Sequence, residues 1–265
     1  MNVKVGLKSK WTNEQLRARM VCDPDFVEIY LDNKDLEEKL YQVEENLRYF
    51  KDKNGGIPMT VHQPEKFKNK FLNLASDNQT ILDNTFECMQ ILCELAARCN
   101  LEGVIIHPYW SEDEQYKKDN SSGAQKVDRI IKNLTNLKEF RDIILLENEI
   151  SGCFSLPYNI LYILKQSGFR LTLDFCHLFI ACKDDLNFKK ALSVLKHHIH
   201  YCHLADTDGV TDNALEIGKG VIDWSKIVDY AKLALIEVGE EDYIKMPKML
   251  NSLNYFKKIC RQNTI

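Results

Sequence analysis

The chain has no run of 18 or more apolar residues, so nothing in it reads as a membrane span. It also lacks a glycine-rich turn after its first apolar run. The sequence there is GLKSKWTNEQ, which argues against a doubly wound nucleotide-binding sheet. No C-x-x-C pair occurs among the nine cysteines, and their number is odd. Several fall inside apolar patterns, so we expect reduced, mostly buried thiols in a cytoplasmic protein rather than a disulfide framework. Charge excess is small: 35 Lys and Arg against 39 Asp and Glu give −4. That supplies no global pull toward nucleic acid or an anionic membrane, though it leaves room for a local basic groove. No linker or low-complexity stretch divides the 265 residues. The start, MNVKVGLKSK, enters a strand pattern without the apolar stretch of a signal peptide.

What is present is strand–helix alternation from end to end. Short apolar runs begin at 3 and 26, continue as MTVH, GVIIH, IILLE, LTLD and IHYCH, and finish with LALIE. Between them lie helical patterns. Leu36, Leu40, Val43, Leu47 and Phe50 form a stripe at 4-3-4-3 spacing, which predicts a helix. Further helices are expected near 77–99, 124–140, 156–167, 185–198, 223–232 and 246–262, the first of all starting at Thr12 or Asn13. Eight strands and eight helices predict an α/β fold, a single (β/α)8 TIM barrel domain spanning 1–265.

Six consecutive runs end on a residue that binds metals: His62, His107, Glu147, Asp174 with His177 just after it, His203 and Glu237. The first two runs, VKVGLK and FVEIYL, carry none at their ends. Residues two apart share a strand face. Gly103, Ile105 and His107 form one such file, and Leu145 and Glu147, Tyr201 and His203, and Leu235 and Glu237 form others. Each ligand thus continues an inward apolar file up to the barrel mouth. Imidazole with carboxylate suits zinc, manganese or a similar divalent ion. Burying those carboxylates without a cation costs several kcal/mol each. His197, His198 and His200 are assigned no metal role, because two sit near a helix end and His200 is out of phase with His203. Cys176 lies between Asp174 and His177, but thiolate ligands usually come in clusters.

The segments VHQP at 61–64, IHPYW at 106–110, LLEN at 145–148, LDFCH at 173–177, CHLADTDG at 202–209, DNALEIGKGVIDW at 212–224 and LIEV at 235–238 together resemble the xylose isomerase-like TIM-barrel superfamily. That group holds sugar isomerases and epimerases and the endonuclease IV enzymes. The resemblance implies one divalent ion on Glu147, Asp174, His203 and Glu237. The two glutamates would move protons next to a carbonyl through a metal-stabilised enediolate, and His177 would bind a substrate hydroxyl. The endonuclease IV pattern implies three zinc ions, with His62, His107, His177 and Asp212 as added ligands. Its Asp-x-His motif reads Asp212-Asn213-Ala214 here, and the glycine-rich loop after the Glu-Asn pair is replaced by EISGCFSLP. One or two ions remain compatible with the residues present.

The expected function is therefore a metal-dependent isomerase or epimerase acting on a small sugar or polyol, with or without a phosphate. An abasic-site DNA phosphodiesterase is the alternative, and DNA is a partner only in that case. A metal- or sugar-binding barrel without catalysis is the second alternative. Lys8, Trp110 and Lys219 are candidate substrate contacts, the last inside a Gly-Lys-Gly turn near where barrels bind phosphate. For Lys8 a surface position is the simpler expectation. Tyr109 would either stack on a substrate or anchor the loop 109–123, a candidate lid. Lysines 66, 68, 70, 117 and 118 would serve a DNA backbone only if they formed a positive groove.

Overall fold

The computed structural model describes residues 3–110 and 113–263. Eight parallel strands close into a barrel: β1 (Lys4–Lys10), β2 (Phe26–Tyr30), β3 (Met59–His62), β6 (Gly103–Ile106), β7 (Ile144–Glu147), β8 (Arg170–Asp174), β9 (Ile199–Leu204) and β10 (Leu233–Ile236). Neighbours pair in sequence order, and β10 returns to β1 with Lys4 opposite Leu233 and Leu7 opposite Ile236. The remaining strands, β4 (Lys66–Phe67) and β5 (Lys70–Phe71), form an antiparallel hairpin in the connection after β3, which sequence patterning does not anticipate.

Two apolar layers hold the barrel. The larger lies between the outer strand faces and the helices. The smaller fills the barrel floor, where Phe26, Ile105, Leu145, Tyr201 and Leu235 pack as one buried cluster. These are the inward files expected from alternation, with Phe26 added. Gly6 is opposite Phe26 in register, and a Cβ there would stand 2.2 Å from the phenyl ring. Glycine on β1 thus makes room for an aromatic ring on β2.

The helices are α1 (Asn13–Met20), α2 (Asn33–Glu38), α3 (Leu40–Lys53), α4 (Gln79–Cys99), α5 (Glu114–Lys118), α6 (Gly123–Leu134), α7 (Pro157–Ser167), α8 (Phe175–Cys182), α9 (Asp185–Leu195) and α10 (Pro247–Gln262). Their ends follow capping chemistry. Asn78 accepts from the backbone of Thr80 and Ile81 to start α4, Ser122 and Gln125 form a reciprocal box at α6, and Pro157 opens α7 while Gly168 closes it at φ +75°.

Four expectations need correction. In place of a helix over 223–232 the structure has a 3-10 helix at Trp224–Lys226. The stripe from Leu36 to Phe50 is carried by two helices, because the Lys39 backbone leaves the helical region at φ −129°, ψ 11°. The stretch 124–140 turns from α6 into a 3-10 helix at Thr135–Phe140. An extra helix, α8, begins directly after Asp174, whose carboxylate caps it by accepting from the His177 backbone at 2.7 Å. No helix among the described residues is long and apolar enough to cross a membrane.

Candidate metal centre

His62 is the last residue of β3, Glu147 of β7 and Asp174 of β8. His203 is next to last in β9, while His107 and Glu237 directly follow β6 and β10. All six therefore meet at the C-terminal mouth. Ligand atoms of Glu147, Asp174, His203 and Glu237 lie within 4.8 Å of one another, and so do those of His62, His107 and Glu147. Glu147 belongs to both groups. It is 1% exposed. Its Oε2 lies 3.1 Å from His62 Nε2 and 3.2 Å from His107 Nε2, and its Oε1 lies 2.9 Å from His203 Nδ1. Asn148 clamps the neighbouring strand end, accepting from the Asp174 backbone N–H at 2.8 Å and donating to its carbonyl at 3.1 Å.

The electrostatics of this cluster point to a cation. Burial works against charge on Glu147, but His107 and His203 hold its carboxyl well below the ordinary range. Burial likewise opposes protonation of His107, yet Glu147 and Glu149 raise it to about 9. Asp174 is pushed up to about 7 by burial, with His177 partly offsetting and Glu147 adding to the rise. His203 Nδ1 faces two carboxylate oxygens, Glu147 Oε1 at 2.9 Å and Glu237 Oε2 at 2.7 Å. One ring proton cannot serve both. Neither Glu28 Oε1 nor, despite its 2.7 Å approach to His203 Nδ1, Glu237 Oε2 receives a hydrogen bond of good geometry. A divalent ion satisfies converging oxygens and nitrogens of this kind, so the residues present fit one.

The remaining expected residues take the following places. His177 stands on the first turn of α8, its Nδ1 2.8 Å from the Asn148 carbonyl and its Nε2 3.1 Å from Asp212 Oδ2. Asp212 also accepts from the Cys176 thiol at 3.4 Å, and burial first, then Asp174, pushes that thiol far upward, so Cys176 stays protonated. Two residues beyond Asp212, Ala214 takes a left-handed backbone conformation, φ +43°. Lys8 is not a surface lysine: it points into the mouth and pairs with Glu237. Trp110 stacks on His107 with ring centroids 4.3 Å apart. Lys219 is exposed in a turn wrapped around Asp206, which accepts from the backbone of Gly218 and Ile222. Tyr109 is an anchor, donating to the Ser151 carbonyl and accepting from the Phe154 backbone. The candidate lid includes residues 111 and 112, which lie outside the described residues. On the β4–β5 hairpin, Lys68 is paired with Glu87.

A cavity of about 340 Å³ opens beside Glu237, lined by Lys8, Lys10, Gln15, Tyr30, Ala214 and Tyr243 among others. Of the expected residues, Lys8 and Glu237 line it. Two buried carboxylates escaped the sequence reading. Glu149 lies 2.7 Å from His107 Nδ1, and Glu28 in mid-β2 lies 3.1 Å from His203 Nε2. Both signals were local: Glu28 interrupts an apolar strand two residues after Phe26, and Glu149 stands two residues after Glu147.

A family model described as a xylose isomerase-like TIM barrel matches residues 23–233. No curated protein matches the chain. Among solved structures it is similar to a D-tagatose 3-epimerase-like protein, at 22% identity and TM-score 0.77 over 99% of this chain and 100% of that one. It is similar to 3-keto-D-glucoside 4-epimerase from E. coli, at 15% identity and TM-score 0.75 over 97% and 100%. Endonuclease IV from Thermus thermophilus superposes at 15% identity and TM-score 0.73 over 98% and 99%. At these identities the likenesses establish the fold. The closed parallel barrel and the family match over most of its length give one conclusion: the chain belongs to the xylose isomerase-like TIM barrel family.

Proposed function

We propose that the chain is a divalent-metal-dependent isomerase or epimerase acting on a small sugar or polyol. The observation that carries this reading is the adjacency of the four-ligand group to a cavity of about 340 Å³, with Glu237 belonging to both. That volume lies at the small end of small-molecule sites, which run from about 300 to 1,000 Å³. Glu147, Asp174, His203 and Glu237 would hold the ion, whose chemistry is to polarise substrate oxygens and so acidify the neighbouring C–H.

The chain's own groups suit proton transfer there. Burial opposes ionisation of Glu237, but His203 and Lys8 hold it well below the usual carboxylate range, so it stands ionised; its place beside the cavity, not that lowered value, suits it to act as a base. Burial also works against the charge on Lys8, yet Glu237 and Glu28 keep its ammonium protonated, a donor for a substrate oxygen. Tyr30, Gln15 and Tyr243 supply a ring face and polar edges to a polyol. Glu147, the second base in this scheme, is 1% exposed and would also be among the residues that hold the ion.

A second reading has its own observation. The His62–His107–Glu147 group shares Glu147 with the four-ligand group, and these residues would hold two ions, whose chemistry would suit in-line displacement at a phosphodiester. One experiment separates the two. Purified protein supplied with manganese or zinc is incubated in D2O with ketoses and their phosphates, and in parallel with a duplex bearing one abasic site. Deuterium entry next to the carbonyl, lost in Glu237→Gln, is the expected result. Nicking of the duplex by wild type and not by Glu147→Gln would replace the leading reading with the second. An ion bound with neither activity would leave a binding barrel.

A further inference from the structure

Each histidine of the centre divides its two ring nitrogens between the ligand cluster and an outer acceptor. His62 Nδ1 lies 2.7 Å from the Gln63 carbonyl, leaving Nε2 toward Glu147. His107 Nδ1 lies 2.7 Å from Glu149, again leaving Nε2 toward Glu147. His203 is turned the other way. Its Nδ1 faces Glu147 and Glu237, and its Nε2 lies 3.1 Å from Glu28 Oε2.

Glu28 is an unusual residue to find there. It is 0% exposed, in the middle of β2, one inward step above the Phe26 tier of the barrel floor. A carboxylate in that position costs several kcal/mol unless compensated, on the order of what other buried charges cost. Among the described residues its ion-pair partner is His203. Tyr201, on the same inward file as His203, closes the space below, with its hydroxyl 3.3 Å from Thr60 Oγ1. A ring nitrogen buried at this depth has no solvent to hydrogen-bond, so the identity of its acceptor decides which nitrogen carries the proton.

We infer that Glu28 is a positioning residue of the metal centre: it accepts the Nε2 proton of His203 and thereby keeps the Nδ1 lone pair directed at the ion. The inference rests on the metal reading of the site. It assigns Glu28 no contact with substrate. The opposing role is that of a direct ligand, because atoms of Glu28, His62 and His203 also fall within 4.8 Å of one another. The ring orientation favours positioning: His203 already presents Nδ1 to the four-ligand group, and His62 presents Nε2 to Glu147.

The test uses the full chain stripped with chelator and titrated with Co2+, following stoichiometry, affinity and the visible absorption of the bound ion, together with 15N NMR of labelled histidine in the wild type. Wild type loaded with Zn2+ is expected to carry the His203 proton on Nε2, and the tautomer is read in that ion-bound state. Glu28→Leu should bind the same number of ions about 10–100-fold more weakly, with an altered Co2+ spectrum. Glu28→Gln keeps an oxygen that can accept the proton and should recover most of the affinity. Unchanged affinity and spectrum in Glu28→Leu would overturn the role, and loss of one whole ion would make Glu28 a ligand instead. If Glu28→Leu does not fold, the wild-type tautomer and Glu28→Gln decide, and a His203 found protonated on Nδ1 overturns it. A wild type that binds no ion would instead sink the metal reading, a separate failure.

Discussion

At the scale of single residues the centre turns on Glu147, whose two oxygens face three histidines. Replacing it with glutamine removes a charge from both ligand groups. Glu147→Gln should weaken ion binding by at least about tenfold, since even outer partners of ligands are worth that much, and isothermal titration would show it. The metal-free protein also makes a pH prediction. Burial opposes the charge on His107, but Glu147 and Glu149 raise its pKa in the fold from the ordinary 6.5 to about 9. Its stabilising contribution is therefore complete below about 6.5 and lost as pH rises through about 9. Asp174 has the same sign: its folded value, about 7, exceeds the ordinary 3.8, so the fold loses stability as pH climbs between them. A bound ion needs deprotonated ligands. The rise in Tm on adding manganese should thus be larger at about pH 9 than at about pH 6, and a shift independent of pH would contradict these assignments.

At the scale of elements, the candidate ligands were legible because strand alternation is local. Once Leu145 faces inward, Glu147 must as well, and the floor cluster of Ile105, Leu145, Tyr201 and Leu235 bears this out. The same rule applied to Phe26 leads to Glu28, but attention to strand ends passes over a mid-strand residue. The turn after β9 was less legible. Gly218-Lys219-Gly220 reads either as a phosphate contact or as a structural turn, and it folds around Asp206, which accepts from the backbone of Thr207, Gly218 and Ile222 and from Trp224 Nε1. Asp206→Ala strands buried donors at a cost of about 1–3 kcal/mol for each left unpaired. A lowered urea midpoint is expected, and an unchanged one would show that the turn holds without it. On the opposite end, Gly6→Val forces the Phe26 ring from its place. A loss of about 1–3 kcal/mol in the same measurement is expected for such overpacking.

At the scale of the whole molecule, barrel closure creates the site. Pairing of β1 with β10 sets Lys8 beside Glu237, residues at opposite ends of the chain. Ion binding should accordingly stabilise the folded barrel as a unit. At an ion concentration about 100 times Kd the gain is about 2.7 kcal/mol, read as a rise in Tm that chelator reverses. If chelator leaves Tm unchanged in protein shown to contain metal, the ion is not coupled to folding.

The alternation of strand and helix, the inward files and the candidate ligands that end them were all set by the sequence, because each depends on spacing within a few residues. The partners of those ligands were decided only in three dimensions. That Glu28 meets His203, that Glu149 meets His107, that Asp212 meets His177 and Cys176, and that Lys8 faces inward toward Glu237 all depend on distances across a closed barrel. Local periodicity orders side chains along one strand. It carries no information about which side chain stands opposite once the strands form a ring.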